Sequence, residues 1–213
     1  MSLEALARLA EAHHLAILGA LHTTPEDNLG TGTIALLGPA EPGFWPHVSE
    51  SPEFQDNAPD PMDRWSARVI TKLAENLNGR PLFPFGDPPR PFIGWALRSG
   101  QAFASPATLL VHAKAGLFVS YRGAILFPEA LSLPAPAANP CDSCQDKPCL
   151  TACPPRALTA KGYNLPACHA FLDTDAGNTC MSQGCIVRRS CPLSQNYPRM
   201  ASQSAFHMKA FHK

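Results

Sequence analysis

Residues 141–154 read CDSCQDKPCLTACP, and residues 180–192 read CMSQGCIVRRSCP. Together with Cys168 between them, these two segments hold all eight cysteines of the 213-residue chain. The cysteines are separated by two, four and three residues in the first segment and by four and five residues in the second, and both segments end in Cys-Pro. Cysteines this close together, in runs closed by proline, predict tight loops that present several thiolates to one site.

A run of this kind is the signature of bacterial ferredoxins, in which three cysteines bind one 4Fe–4S cluster and the fourth binds the other cluster. This rule assigns to one cluster the first quartet, Cys141, Cys144, Cys149 and Cys191. It assigns to the other cluster the second quartet, Cys153, Cys168, Cys180 and Cys185. The sequence therefore predicts two 4Fe–4S clusters held by the two quartets.

Three alternatives remain open at this point. Structural zinc sites usually draw their cysteines from paired C-x2-C knuckles, and only Cys141 and Cys144 form one here. A disulfide framework would need an oxidising compartment. The third alternative is that only one cluster is present, or that both are lost during preparation in air.

The amino terminus bears on the compartment. Residues 1–20 contain Glu4, Glu11 and the pair His13 and His14, so they lack the basic start and unbroken apolar core of a signal peptide. No segment approaches the length of a membrane span. We therefore expect a cytoplasmic protein without a membrane partner, in which the cysteines stay reduced.

Charge is unevenly placed along a chain whose formal net charge is zero. Residues 1–140 carry 9 Lys and Arg against 13 Asp and Glu, whereas residues 141–213 carry 8 against 4. The cations that could offset negatively charged clusters are Lys147, Arg156, Lys161, Arg188, Arg189 and Arg199. The alternative is an ordinary solvated basic face.

The rest of the sequence indicates an α+β protein. Apolar spacing predicts an amphipathic helix over residues 2–21 and a second helix from Met62 to about Asn78. The predicted strands are residues 33–38, 108–112, 116–121 and 123–127, and a carboxy-terminal helix is predicted over residues 201–213. The Pro/Ala stretch LPAPAANP at 133–140 marks a boundary between domains at 1–138 and 139–213.

The segments LLVHAKAGLFVSYRGAILF at 109–127, CDSCQDKPCLTACPPRAL at 141–158 and CHAFLDT at 168–174 resemble the epoxyqueuosine reductase family. The resemblance covers roughly residues 105–197 and provides a counterpart for every cysteine. It implies a truncated nitroreductase-like or cobalamin-reductase-like α/β domain, which binds a corrinoid, followed by a small loop-and-helix ferredoxin-like domain with two clusters. The spacing departs from the family pattern, because the loops before Cys149, Cys185 and Cys191 are longer than usual.

The resemblance gives two functional hypotheses. In the first, a corrinoid or flavin lies against the strands of residues 105–127, with His112, Tyr121 and Arg122 as candidate pocket residues, and a small-molecule substrate is reduced. In the second, the amino-terminal domain only docks a redox partner protein, and the chain is an electron-transfer module. No family catalytic acid can be placed in residues 1–140, and we expect neither a tRNA-binding region nor a nucleic-acid partner.

Overall fold

The structure is a computed structural model that describes residues 2–213. Its helices are α1 (Leu3–Glu11), α2 (Phe44–Ser49), α3 (Pro52–Gln55), α4 (Pro61–Asn76), α5 (Phe92–Arg98), α6 (Leu165–Leu172), α7 (Asn178–Gln183), α8 (Ile186–Ser190), α9 (Pro192–Asn196) and α10 (Ala201–Phe211). Its strands are β1 (Leu15–His22), β2 (Thr33–Pro39), β3 (Arg80–Leu82), β4 (Ala102–Ala104), β5 (Leu110–His112), β6 (Gly123–Phe127), β7 (Leu158–Thr159) and β8 (Gly162–Tyr163). Mixed helices with small antiparallel sheets agree with the expected α+β class.

The chain divides into two compact units. The first unit contains the described residues up to Gln101 together with Ser120–Ala137, and the second contains Ala102–Val119 and Ala138–Lys213. The sequence predicted two consecutive domains that meet near residue 138. The observed division begins its last segment there, but it also gives Ala102–Val119 to the second unit.

The first unit is built on an antiparallel sheet with the strand order β1-β2-β6-β3. Strand β2 lies inside this sheet and is buried at every residue, as its continuous apolar sequence predicts. Helix α4 contacts β6 and β3 and buries Trp65, Val69, Ile70 and Leu73, and its position agrees with the predicted second helix. These four side chains are buried and uncharged, so the interior between the helix and the sheet is apolar here.

The predicted helix over residues 2–21 is wrong in its second half. Helix α1 ends at Glu11, and the chain turns at His14, which has a φ of 50°, into strand β1. Ile17 and Leu21 are four residues apart, a spacing that puts them on one face of a helix and also on one face of a strand. The segment pairs with β2 as a strand, and Gly19 allows its close approach to Ser99, because a Cβ there would lie 2.6 Å from the Ser99 Oγ.

The predicted strand over residues 116–121 is also wrong. Gly116 makes only an isolated bridge to His112, and the adjacent predicted strands correspond to β5 and β6. Gly116 has a φ of 56°, and a Cβ there would lie 2.6 Å from the Ser194 Oγ, which also accepts a hydrogen bond from the Leu117 amide at 2.9 Å. This close approach fixes residues 102–119 to the second unit.

The second unit has little regular structure apart from short helices. Its strands form the two-stranded pairs β4-β5 and β7-β8, and helices α7 and α10 pack together. Helix α10 agrees with the predicted carboxy-terminal helix, and residues 133–139 lie outside any helix or strand, as the Pro/Ala composition predicts. Among residues 2–213 no helix is long and apolar enough to cross a membrane.

Asp27 joins a short loop to helix α5 in the first unit. Its side chain is only 3 % exposed, and Oδ1 accepts hydrogen bonds from the Trp95 indole and from Arg98, both at 2.8 Å. The Arg98 guanidinium in particular holds the pKa of Asp27 well below its usual range. The charged carboxylate is therefore the form that stabilises the fold.

We expect Asp27→Asn to lower the free energy of unfolding by about 2 kcal/mol at neutral pH, because Arg98 and Trp95 lose a charged acceptor; the partial exposure of Arg98 keeps the loss moderate. Because the folded-state pKa is depressed, this stabilisation is present above the unfolded pKa of about 3.9 and is lost as pH falls below it. Urea unfolding at neutral and acidic pH measures the effect. The control Glu75→Gln changes an exposed i,i+3 pair and should stay within about 0.5 kcal/mol. Equal stability of both variants would contradict the role given to Asp27.

Candidate metal centres

The first quartet lines one cavity in the second unit. Cys141, Cys144, Cys149 and Cys191 all lie on the walls of a space of about 450 Å³ that is partly open to solvent. Its other walls are mainly apolar and come from Ser105, Pro106, Val111, Leu117, Pro140, Lys147, Pro148, Pro192 and Leu193. Cys191 therefore joins three cysteines that precede it by at least 42 residues, as the ferredoxin spacing predicted.

Short turns position these four thiols. Cys149 lies in a 3-10 turn at Pro148–Leu150 that follows Lys147, a residue with a φ of 40°. Cys191 directly follows α8, and Pro192 is the first residue of α9, a position that suits a residue without an amide hydrogen. The Cys141 amide donates to the Asn139 Oδ1 at 3.1 Å, which holds the start of the first cysteine loop.

Three of the four cysteines of the second quartet lie on or next to helices that follow the first cysteine segment. Cys168 lies on α6, Cys180 lies on α7 and Cys185 precedes α8. Burial raises the pKa of Cys168, and the thiols of Cys185, Cys153 and Cys180 raise it further. Burial also raises the pKa of Cys180, again with contributions from Cys185 and Cys153. These neighbours all belong to the set that the sequence assigned to one cluster.

The electrostatics of the first quartet are similar. Burial raises the pKa of Cys141, and the thiols of Cys149, Cys191 and Cys144 raise it further. Burial also raises the pKa of Cys149, again with contributions from Cys191 and Cys144. Four thiolates so close together repel one another, so a cationic centre would be needed to hold all four deprotonated.

Hydrogen-bond donors point at the sulfurs of the second quartet. The Ala157 amide donates to the Cys153 Sγ at 3.2 Å, and the Tyr163 hydroxyl donates to the Cys168 Sγ at 3.3 Å. Donors of this kind stabilise negative charge on ligating sulfur.

Members of both quartets border one apolar core. This core consists of Ala107, Val111, Leu117, Cys149, Leu158 and Val187. Cys141 and Cys191 of the first quartet pack against it, and so do Cys153 and Cys185 of the second. The core therefore partly buries thiols of both sets, and this reduced contact with water favours stable metal–thiolate bonds.

The chemistry of the donor set fits iron–sulfur clusters. All eight cysteines are free thiols, and thiolate sulfur is the ligand that such clusters prefer. Within the described part of the chain, no group of three or more His, Cys, Asp or Glu side chains has the geometry to hold a single metal ion. A 4Fe–4S cluster makes a different demand, because its four thiolates bind four separate iron atoms rather than one ion.

The three candidate pocket residues do not form one group. His112 is 2 % exposed and lies in the second unit, where its Nδ1 accepts hydrogen bonds from the Lys114 and Ala115 amides. Tyr121 and Arg122 belong to the first unit. The His112 contacts shape the turn after β5, so this histidine has a structural role.

Tyr121 is a buried side chain, and the side chain of Arg122 is 13 % exposed. Burial raises the pKa of Tyr121, whose ring packs at 6.4 Å from that of Phe92. Arg122 forms a loose ion pair with Asp63, with 3.7 Å between Nη1 and Oδ1. The Ser120 Oγ, Tyr121 hydroxyl and Arg122 Nε have no hydrogen-bond partner among residues 2–213, so three successive residues keep a buried polar atom unsatisfied.

The sequence did not point to three residues that lie beside the candidate metal centres. Val111 and Leu117 come from the segment assigned to the other domain, yet they wall the first-quartet cavity. Tyr163 carries no motif, and only its position five residues before Cys168 could have drawn attention to it. No family model, curated protein or solved structure matches this chain.

Proposed function

We propose that this chain is an iron–sulfur redox protein that holds one 4Fe–4S cluster on each quartet and passes electrons to a corrinoid or flavin in its first unit. The observation that carries the proposal is the grouping of the eight thiols. Cys191 joins the cysteines of the first loop, while Cys153 leaves that loop to join the later ones. Such an exchange of the last cysteine between two sets is the ligation pattern of two-cluster ferredoxins.

The side chains around the thiols would exclude water and offset negative charge. Each cluster, when bound, supplies one-electron chemistry at low potential. Val111 and Leu117 limit the access of water to the first quartet. Lys147 lies beside Cys149, and Arg189 lies beside Cys180, where each acts to lower the pKa of the thiol and would offset thiolate charge.

The unsatisfied polar atoms of residues 120–122 support a ligand in the first unit. A buried polar group without a partner costs about 1–3 kcal/mol, so such atoms usually meet a ligand or a water. Tyr121 and Arg122, two of the candidate pocket residues, carry two of these atoms. In line with the family resemblance, the first unit would be a shortened version of a nitroreductase-like or cobalamin-processing domain.

A second candidate is an electron-transfer module whose first unit binds a partner protein and no cofactor. The packing of the Tyr121 ring against Phe92 and the pairing of Arg122 with Asp63 favour it, because both side chains already contribute to a filled interior. In this version a redox partner receives the electrons directly.

Titration of the anaerobically reconstituted protein with cyanocobalamin and with FMN separates the two candidates. The reductase predicts stoichiometric binding of one of them, and weaker binding by Tyr121→Phe of roughly 2-fold to 10-fold, the effect of one lost hydrogen bond. Tyr197→Phe makes the same chemical change in the second unit and should bind as the wild type does. Absence of binding to the cluster-loaded protein would contradict the reductase and favour the module.

A further inference from the structure

The two quartets have different surroundings. Of the described residues that line the first-quartet cavity, Lys147 alone carries a formally charged side chain of the Lys, Arg, Asp or Glu type. The second quartet receives hydrogen bonds at Cys153 and Cys168, with 3.2 Å and 3.3 Å between donor atom and sulfur. Arginine charge is also close, because Arg188 interacts with Cys185 and Arg189 interacts with Cys180.

Tyr163 makes the side-chain contribution to this polar setting. It ends β8, one residue before Asn164, whose Oδ1 caps α6 by accepting from the Ala167 amide at 3.1 Å. Its ring stacks on Phe211 with 6.3 Å between ring centroids and 12° between planes. Between this stack and the start of α6 the ring is held in place, and its hydroxyl reaches the Cys168 Sγ at 3.3 Å.

The arginines are held near the second quartet by contacts of their own. The Arg188 Nη1 donates to the Leu117 carbonyl, and the Arg189 Nε donates to the Gly184 carbonyl at 3.0 Å. These backbone acceptors leave the positive charges in place, since a neutral carbonyl does not cancel them. The second quartet thus combines fixed donors with fixed positive charge.

Such groups change the energy of an added electron. Reduction takes a 4Fe–4S cluster with four thiolates from a charge of 2− to 3−, with one electron from an external one-electron donor and no change in bonding or protonation. Hydrogen bonds to the sulfurs and nearby cations stabilise the more negative form and raise the reduction potential. Apolar walls act in the opposite direction, because they solvate charge poorly.

We infer that the cluster on the second quartet has the higher reduction potential of the two, and that the Tyr163 hydroxyl is a positioning group that raises it. This inference rests on the proposed function. An electron that enters the protein would then reside on the cluster of the second quartet. The cluster of the first quartet, once reduced, would be the stronger reductant.

An EPR-monitored redox titration of the full chain, reconstituted without oxygen, tests the inference. The wild type should show two separate midpoint potentials, and Tyr163→Phe should move the higher one to lower potential while the lower one and the iron content stay unchanged. Phe211→Leu removes the ring stack but keeps the hydroxyl, so its midpoints should stay close to those of the wild type. Exchange into D2O followed by ENDOR should detect a deuteron coupled to the higher-potential cluster in the wild type.

These experiments distinguish a failure of the inference about reduction potentials from a failure of the proposed iron–sulfur function. Unchanged midpoints in Tyr163→Phe, or movement of the lower midpoint alone, would overturn the inference while both clusters remain. If the variant does not fold, a wild-type ENDOR spectrum without an exchangeable deuteron at the higher-potential cluster would overturn it equally. A wild-type preparation without any iron–sulfur signal would instead contradict the proposed function, and therefore also the inference that rests on it.

Discussion

A Cys191→Ser variant is expected to lose the first-quartet cluster and to keep the second, so that bound iron falls from about eight to about four atoms per chain. Cys191 lines the same cavity as Cys141, Cys144 and Cys149, although it follows them by a long stretch of chain. A serine hydroxyl is a harder and poorer ligand for iron–sulfur clusters than a thiolate. The loss should therefore be confined to the set that Cys191 completes.

Iron analysis and EPR of the reduced protein measure this result. The signal that remains should be the one that responds to Tyr163→Phe, because Tyr163 contacts Cys168 of the second quartet. Ser190→Ala alters the neighbouring residue, whose hydroxyl donates to the Val187 carbonyl at 2.9 Å, and should keep both clusters. If Cys191→Ser spares the first cluster and destroys the second, the assignment of the quartets is wrong.

A Cys153→Ser variant should have the opposite effect, although Cys153 belongs to the first cysteine segment. The charge of Cys153 raises the pKa of Cys168 and Cys180, and its own sulfur accepts the Ala157 amide. Its substitution should remove the second cluster and about half of the iron. Cys149→Ser, only four residues earlier, should remove the first cluster instead.

These two variants form a matched pair, because they place the same substitution in one short segment with opposite expected outcomes. EPR spectra of the two reduced proteins should each show one cluster signal, and the two signals should differ. Loss of the same signal in both variants would show that all four cysteines of residues 141–153 serve one cluster. That result would also exclude the exchange of Cys153 and Cys191 between the sets.

The grouping of the cysteines was predictable because local spacing restricts it strongly. Loops as short as those between Cys141 and Cys149 can only place their thiols close together, and Cys-Pro marks where the chain leaves the loop. The structure brings the first quartet to one cavity in agreement with this prediction. Its role as a ligand set remains a prediction, which the variants above test.

Long-range packing was not predictable from such patterns. The apolar run of strand β1 fits both the helical period and the strand period. Its pairing with β2 and the close approach of Gly19 to Ser99 are long-range features that the pattern does not reveal. Residues 102–119 join the second unit because Gly116 and Leu117 fit against Ser194, which lies 77 residues from Leu117. Helix α4, by contrast, has a long stripe with a single period and was predicted closely.

The three candidate pocket residues are not all in one unit, for a similar reason. His112 and Tyr121 were grouped because they lie close in sequence, but the boundary at Ser120 puts them in different units. Tyr163 was overlooked because one hydroxyl near a ligand has no sequence pattern. Contacts that depend on a single side chain are visible only once the chain is folded.

The central claim, two 4Fe–4S clusters on two interleaved quartets, is tested most directly by metal and sulfide analysis of protein purified without oxygen. The account predicts about eight irons and about eight acid-labile sulfides per chain, with visible absorbance that bleaches on addition of dithionite. A colourless protein with about two zinc ions per chain and no labile sulfide would contradict it, because two four-cysteine zinc sites would then explain the same cysteines.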